Sequence, residues 1–219
     1  MAEYREADPE VSTVTSRAED ESCLAVAGRQ RACRHYTDAA VDDAIITELL
    51  RVACCAPSSQ NQQPWRFVVV RDDETRAAFG ELMREIWERF GRRFSEGTLE
   101  PALFREVDEG VGGGGLAKAP VHIVVGGDSS VLDRSQLASS VFPAVQNLLL
   151  AATALGLGSC LTTIATLRAD DVRALVGFPP AIDPLAIVPI GYPARLLGPP
   201  RRNPPESNSS RERYGVPWV

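Results

Sequence analysis

The sequence contains few of the residues that build metal sites and disulfide scaffolds. It has only two histidines, His35 and His122, and its five cysteines show no C-x-x-C spacing. Structural zinc sites need closely spaced Cys and His ligands, so we expect no metal centre. Cys54 and Cys55 lie inside a helical pattern, which predicts buried, reduced thiols. Cys160 has no neighbouring histidine that could activate it, which argues against a catalytic thiol.

Membrane and targeting signals are missing too. No window reaches the roughly 18 unbroken apolar residues of a membrane span, and the acidic first residues lack the basic-then-apolar order of a secretion signal. The chain has 23 basic and 29 acidic side chains, a net charge of −6. This balance argues against nucleic acid or an anionic membrane as a partner. We therefore expect a cytoplasmic protein in which any bound phosphate is held by a few local basic residues.

A third absence concerns the glycine motifs that hold nucleotides. No G-x-G-x-x-G follows the first predicted strand, so a nicotinamide nucleotide would visit as a substrate and not be held by its own domain. The run Gly112–Gly115 precedes a strand instead of following one, which favours a flexible hinge over a phosphate loop. With 219 residues, 44% of them hydrophobic, the chain fits one globular domain over 21–219 after a mobile acidic leader over 1–20.

Hydrophobic periodicity predicts a protein of helices and strands. The predicted helices run from about 21 to 30, from a cap at Thr37 or Asp38 to just before Pro57, from about 72 to 90, from 139 to 155 and from 169 to 175. The predicted strands are 67–70, 121–125, 159–163 and 186–190. The helix over 139–155 is apolar on most sides, which indicates a central position or a large interface. The pattern dissolves over 91–118, which predicts a mobile lid over a substrate site.

The chain is organised around the polar stretch Ala56–Phe67, with the sequence APSSQNQQPWRF. Its amide and hydroxyl groups can donate and accept hydrogen bonds without carrying charge, which suits a planar heteroaromatic ligand. The alternative is an ordinary helix-to-strand connection, because Pro, Ser and Asn are common in loops. Trp65 is assigned to core or interface packing.

Three segments together resemble the nitroreductase family of FMN-dependent oxidoreductases. "APSSQNQQPWRFVVV" is similar to that family's APS-x-x-N-x-QPW-x-F segment, "PAVQNLLLAATALGLGSCLTT" to its later helix and strand, and "IVPIGYPARLLGPPRRNP" to its final strand and basic tail. Three matches in the family's order are far more specific than one. The resemblance implies an α+β fold, with a mixed, mainly antiparallel sheet flanked by helices. It also implies an intertwined homodimer with FMN at the interface and a tail, 195–219, that wraps the partner subunit.

The resemblance also assigns a cofactor site. The residues that it places around FMN are Arg29, Gln30, Arg31, Ala32 and Arg34 in a basic segment, Pro57, Ser58, Ser59, Asn61 and Gln63 in the polar loop, Leu161, Thr162, Thr163 and Ile164 after a strand, and Arg201 or Arg202 in the tail. Gln30 and Ala32 stand where the family usually has Arg and Ser, so one phosphate-side donor and one hydroxyl are missing. Whether Arg29 replaces the first stays open. Without the resemblance, these basic residues would be interpreted as a solvated helix end.

The activity implied is ping-pong oxidoreduction on the flavin. NADH or NADPH would reduce FMN and leave, and an electron-poor acceptor such as a nitroaromatic or quinone would then occupy the same pocket. Backbone N–H groups after the strand would point at flavin N5, a role that the side chains of Thr163 and Ile164 do not prevent. Relatives of this fold also desaturate peptide-derived substrates, dehalogenate, or destroy flavin. A flavin-binding protein without turnover is a further alternative.

Overall fold

The computed structural model describes residues 22–218, so the predicted leader over 1–20 lies outside the described residues. The helices are α1 (Cys23–Arg29), α2 (Asp43–Ala53), α3 (Asp73–Ile86), α4 (Arg92–Ser95), α5 (Pro101–Val107), α6 (Arg134–Ala154) and α7 (Ala169–Val176). The strands are β1 (Trp65–Val70), β2 (Val121–Asp128), β3 (Gly158–Ser159) and β4 (Ile182–Gly191). Short 3-10 turns lie at Ser59–Asn61, Ile164–Arg168 and Pro205–Ser207, and π turns at Trp87–Gly91 and Asp108–Gly112.

The four strands form one sheet in the order β1-β2-β4-β3, and each neighbouring pair is antiparallel. A parallel bridge between Ala32 and Ser159 adds the segment after α1 to the β3 edge. Every residue of β2 is buried, as expected of a central strand that is covered on both faces. These features confirm the predicted mixed, mainly antiparallel sheet, and they make β1 and β3 its two edge strands.

Two hydrophobic clusters cover the two faces of the sheet. Val121, Ile123 and Val125 of β2 belong to the cluster that also contains the buried residues of α2 and α6. Val124 belongs to the cluster with α3, on the other face. This division follows from strand geometry, because successive side chains point to opposite faces. Helical layers therefore enclose the sheet from both sides.

Helix α6 is the central helix of the larger cluster. By length and composition it is apolar enough to cross a membrane, with a mean hydropathy of 1.4, and half of the window concerned is buried inside the protein. Core packing therefore accounts for its apolar character, as the sequence predicts. It begins earlier than predicted because Asp133 caps it by accepting a hydrogen bond from the backbone N–H of Ser135. Gly156, at φ +76°, follows its C-terminal end, where a left-handed residue is common.

Other predicted boundaries are wrong as well. Helix α2 is capped by Asp42, whose side chain accepts a backbone N–H of the first turn, and not by Thr37 or Asp38. An acceptor must lie immediately before the first turn to reach it, and both of these residues are too far upstream. The strand predicted over 159–163 is shorter, because regular pairing with β4 covers only Gly158–Ser159.

Two further expectations differ from the structure. Cys54 and Cys55 are exposed, because α2 ends at Ala53 and its apolar face ends with it. The region 91–118 is largely helical, since α3 continues through a π turn into α4 and α5 runs into a second π turn. Five of its seven glycines are closely packed, and a Cβ atom on Gly112 would lie 2.8 Å from Trp87, whereas an added Cβ on Gly97 or Gly114 would have no atom within 4 Å.

Candidate functional site

The basic segment after α1 is fixed against the β3 edge of the sheet. The backbone N–H of Cys33 donates to the carbonyl of Ser159 at 2.8 Å, next to the parallel bridge at Ala32. The buried hydroxyl of Tyr36 donates to the carbonyl of Cys33 at 2.6 Å. These contacts set the chain direction, so the basic side chains on either side of Cys33 project from a rigid edge.

Arg31 and Arg34 lie close together on this segment. Nη1 of Arg31 donates to the carbonyl of Gly198 in the C-terminal tail at 3.2 Å. Nη1 of Arg34 donates to Oε1 of Glu106 on α5 at 3.2 Å. Both side chains are mostly buried, with exposed fractions of 28% and 17%. The two guanidinium groups therefore meet both the tail and α5 at one place.

A cavity of about 460 Å³ opens at this place. Its lining includes five predicted site residues, namely Arg31, Ala32, Arg34, Arg201 and Arg202, together with Glu100, Ala102, Leu103, Glu106, Pro199 and Pro200. The structure thus brings together the basic segment and the basic tail, which are far apart in the sequence. A larger, open cleft of about 780 Å³ is lined by tail residues between 206 and 217 and by none of the predicted site residues.

Two other predicted residues of the basic segment do not line this cavity. Arg29 lies at the C-terminal end of α1, where its Nη2 atom contacts the carbonyl of Thr153 at 3.5 Å. Gln30 caps α1 through its backbone N–H, which donates to the carbonyl of Val26. Arg29 and Gln30 therefore lie outside the lining of this cavity, and whether Arg29 replaces the missing arginine stays a prediction.

The polar loop is ordered by its own hydrogen bonds. The hydroxyl of Ser58 accepts the backbone N–H of Gln63 at 3.0 Å, and the amide of Gln63 donates to Oδ1 of Asn61 at 3.2 Å. Gln60, Asn61 and Gln63 have positive φ angles of 49°, 56° and 49°. Left-handed conformations in non-glycine residues are uncommon, and they cluster at functional sites.

The same loop is tied to the first half of α6. The backbone N–H of Ser59 donates to the hydroxyl of Ser140 at 3.1 Å, and the hydroxyl of Ser59 donates to Oε1 of Gln136 at 3.0 Å. Pro57 at its start is exposed, whereas Trp65 after it is 6% exposed and belongs to the core, as predicted. The loop therefore displays polar groups at the surface from a fixed base.

The third predicted segment follows β3. Thr162 exchanges two backbone hydrogen bonds with Ile187 of β4, at 3.0 and 2.9 Å. Thr163 then caps the 3-10 turn Ile164–Arg168, so the N–H groups of Thr163 and Ile164 have no acceptor within that turn. Leu161 is 42% exposed beside them. Backbone donors are thus available here whatever the side chains are.

Within the single chain the predicted site is divided between the two edges of the sheet. The polar loop leads into β1, while the basic segment and the third segment border β3. Edge strands of a four-stranded sheet are three spacings apart, about 14 Å. The basic and third segments are therefore neighbours, and the polar loop lies across the sheet from them.

Burial fixes the protonation of several groups near the sheet. It raises the pKa of the Cys160 thiol to about 11 and also raises the pKa of the Cys33 thiol. Both thiols stay protonated at neutral pH, which agrees with the argument against a catalytic thiol. Burial lowers the pKa of His122 to about 4, so this strand residue is neutral. Within residues 22–218 no group of three or more His, Cys, Asp or Glu is placed to hold a metal ion.

Sequence reasoning missed the acidic residues of the cavity. Glu100 lies at the start of α5, 3.5 Å from Arg201, and Glu106 faces Arg31 and Arg34 from the same helix. They stand in the region that lacks a clear hydrophobic pattern, and no local signal pairs them with residues about 70 to 100 positions away. Only the packing of α5 against the basic segment reveals them.

The comparisons with known proteins agree with this architecture. The model of the nitroreductase family matches residues 27–192, which include the basic segment, the polar loop and the segment after β3. A protein of Methanothermobacter thermautotrophicus, provisionally named an NADH dehydrogenase/NAD(P)H nitroreductase, is 31% identical over 178 residues, covering 77% of this chain and 76% of its own length. The iodotyrosine deiodinase of Thermotoga neapolitana is 35% identical over 147 residues, 66% of this chain and 74% of its own.

A solved structure supports the same relationship. The crystal structure of oxidized iodotyrosine deiodinase bound to FMN and 3-iodo-L-tyrosine matches with a TM-score of 0.68 and 28% identity, covering 89% of this chain and 100% of that one. The family model spans well over half of the chain, and the fold follows it beyond those limits. On this sequence and structural evidence the chain belongs to the nitroreductase family.

Proposed function

We propose that this protein binds FMN and transfers hydride from NADH or NADPH to an electron-poor acceptor such as a nitroaromatic or a quinone. The observation that supports this most is the cavity in which Arg31, Arg34, Arg201 and Arg202 converge. The overall charge of −6 repels anions, so the excess of four guanidinium groups over the two carboxylates that pair with them here, Glu100 and Glu106, requires an explanation. A bound phosphate monoester supplies one.

The residues present fit the phosphate end of FMN. Guanidinium groups match phosphate oxygens in a bidentate geometry, and two of the four are largely shielded from water. The rigid β3 edge holds Arg31 and Arg34 in place without the cofactor. Ala32 also lines the cavity, but its methyl group offers no hydroxyl donor. The proposed phosphate site therefore relies on the arginines alone.

We further propose that the flavin ring is held between two subunits of a homodimer. Residues 161–164 adjoin the basic segment, whereas the polar loop lies at the other edge of the protomer, so a second chain must supply the loop. Large apolar side chains on the tail support such an assembly: Leu196 is 99% exposed and Trp218 is 51% exposed. These would be covered if the tail, 195–219, wraps the partner. The region 91–118, with α4 and α5, would form the lid.

The bound cofactor would supply the redox chemistry, accepting and donating hydride at its ring. The chain would orient it. Backbone N–H groups of Thr163 and Ile164 would donate to the N5 edge, and Pro57, Ser58, Ser59, Asn61 and Gln63 of the partner's loop would meet the other edges. Because the donors of the third segment are backbone groups, the atypical Thr163 and Ile164 side chains are compatible with this role.

The proposal is tested first by the pigment. The purified protein should be yellow, release FMN and not FAD on denaturation, and bleach when mixed anaerobically with NADH or NADPH. Steady-state rates with a quinone or nitroaromatic should give parallel double-reciprocal lines. A colourless protein that gains no flavin absorbance when FMN is added would refute cofactor binding. Flavin that binds but is reduced by neither nicotinamide would refute the reductase activity alone.

The dimer has a separate test. Interfaces of obligate dimers commonly bury upwards of ~2,000 Å², so sedimentation should show a dimer without a folded monomer at micromolar concentration. A compact monomer with full FMN occupancy would contradict the shared site.

A second candidate function is reductive dehalogenation of an aromatic substrate. It is favoured by the 35% identity to the Thermotoga deiodinase and by the fold match to the deiodinase complex. The two activities differ in their product. Iodide released from 3-iodo-L-tyrosine by the reduced flavoprotein would favour dehalogenation, and rapid NAD(P)H oxidation by quinones without iodide release would favour the main proposal.

A further inference from the structure

One carboxylate occupies the space between the two central arginines of the cavity. Oε1 of Glu106 lies 3.2 Å from Nη1 of Arg34, and Oε2 lies 3.6 Å from Nη2 of Arg31. Each oxygen thus faces a different guanidinium group. The Glu106 side chain is 15% exposed, so water screens these contacts only weakly.

The position of Glu106 is set by close backbone packing. Helix α5 carries Glu106 and continues into the π turn that contains Gly110. A Cβ atom on Gly110 would lie 2.6 Å from Cδ of Arg34, and one on Gly115 would lie 2.5 Å from the carbonyl oxygen of Arg34. The lid segment therefore rests directly on the Arg34 side chain and main chain. Glu106 is held against the arginines and does not reach them from a distant loop.

A carboxylate in this position resembles the ligand that we propose for the site. Like a phosphate, it is an anion that accepts hydrogen bonds from several guanidinium donors. A phosphate that bound Arg31 and Arg34 would meet the same donors and a like charge within a few ångströms. Like charges in a poorly solvated site repel each other, and donors shared with Glu106 are unavailable to the ligand.

We propose that Glu106 competes with the FMN phosphate for Arg31 and Arg34 and thereby sets how tightly this protein retains its cofactor. The inference rests on the proposed function, because it takes the phosphate of FMN to bind in this cavity. Glu106 does not contact the flavin ring in this account. Its effect must therefore depend on the phosphate, which separates it from a general effect on folding or on ring binding.

The test is a pair of titrations of apo protein with FMN and with riboflavin, which lacks the phosphate. In the Glu106→Gln variant we expect the FMN dissociation constant to fall about three- to tenfold, and the riboflavin constant to stay within about twofold. A tenfold change corresponds to 1.4 kcal/mol. The quantity that decides is the ratio of the two constants, measured by quenching of flavin fluorescence.

Two further variants sharpen the result. Glu100→Gln removes a carboxylate that lines the same cavity but pairs with Arg201 in solvent, at 62% exposure, and it should change the ratio less than twofold. Glu106→Asp keeps the charge but withdraws it by one methylene, and its ratio should lie between those of wild type and Glu106→Gln. If Glu106→Gln does not fold, the Glu106→Asp variant decides between competition and no competition.

The outcomes are distinct. Wild-type protein that binds neither flavin refutes the proposed function and this inference with it. Wild-type protein that prefers FMN to riboflavin, with an unchanged ratio in both Glu106 variants, leaves the function standing and refutes the competition. If Glu106→Gln instead binds FMN more weakly relative to riboflavin than wild type does, the competition is also refuted. That result would show that Glu106 positions the arginines for the phosphate.

Discussion

Arg66 and Asp128 form an ion pair at the base of the polar loop, with 2.6 Å between Nη2 and Oδ2. The same arginine donates to the carbonyl of Gln63 at 3.3 Å. Asp128 is held in turn by Ser130, whose backbone N–H and hydroxyl both donate to Oδ1. The pair thus links the last residues of the loop to the end of β2.

Replacing Asp128 by Asn should destabilise the protein by about 1 kcal/mol at neutral pH, the usual size of one lost hydrogen-bonded contact. The hydrogen bond from Ser130 and the neighbouring Arg66 lower the pKa of Asp128. A carboxylate with a lowered folded pKa contributes stability above its unfolded pKa of about 4 and loses it as the pH falls further. The difference in unfolding free energy between wild type and Asp128→Asn should therefore shrink at pH 3, as measured by urea unfolding.

Asp170→Asn, which removes a fully solvated partner of Arg173, is the control. Its unfolding free energy should differ little from that of wild type.

Replacing Arg34 by Met should weaken FMN binding about ten- to a hundredfold, because one charge-assisted contact contributes roughly 1.5–3 kcal/mol. Methionine keeps the aliphatic stem that packs against Gly110, so the fold should survive. Riboflavin affinity should change far less. The measurement is a fluorescence titration, with Arg93→Met in α4 as the matched control. Equal FMN constants for wild type and Arg34→Met would place the phosphate elsewhere.

The buried His122 should make the protein sensitive to mild acid. Burial is the main cause that lowers its pKa from 6.5 to about 4, and the charge of Arg76 adds to it, while the hydrogen bond from Nε2 to the carbonyl of Leu116 opposes the shift. A histidine kept neutral by folding contributes fully above pH 6.5, and this contribution is lost as the pH falls toward 4. Between pH 7 and 5 the loss should be about 2 kcal/mol.

Denaturant unfolding at these two pH values, at one fixed protein concentration, measures this loss. His122→Gln can still donate to Leu116 but does not titrate, so its stability should depend less on pH. An identical pH dependence for both proteins would show that His122 is not the group concerned.

Gly158 allows Cys33 of the basic segment to pack closely against the β3 edge of the sheet, and a larger residue there should destabilise this contact. A Cβ atom there would lie 2.6 Å from Sγ of Cys33, and overpacking of this kind typically costs about 1–3 kcal/mol. Gly158→Ala should therefore lower the unfolding free energy and weaken FMN binding together. Gly28→Ala is the control, because no atom lies within 4 Å of its added Cβ. In helix α1 it should be neutral or stabilise by up to about 1 kcal/mol. Equal thermal midpoints for the two variants would contradict the steric argument.

The sequence by itself determined the strongly periodic helices and strands outside 91–118 and the three stretches that carry the family pattern. Periodicity is a local property, so the apolar runs of β2 and α6 were sufficient to predict a strand and a central helix. The order of the three motifs was sufficient to predict the nitroreductase family, which the comparisons confirm.

Local patterns did not determine what faces the arginines. Glu106 and Arg34 are 72 positions apart, and their contact depends on how α5 packs over the basic segment. The same limit explains Cys54 and Cys55, whose helical pattern continued past the point where α2 ends. Only the tertiary structure decided that the polar loop and the basic segment lie at opposite edges of one sheet. Strand order is set by long-range pairing, and nothing in the spacing of residues along the chain encodes it directly.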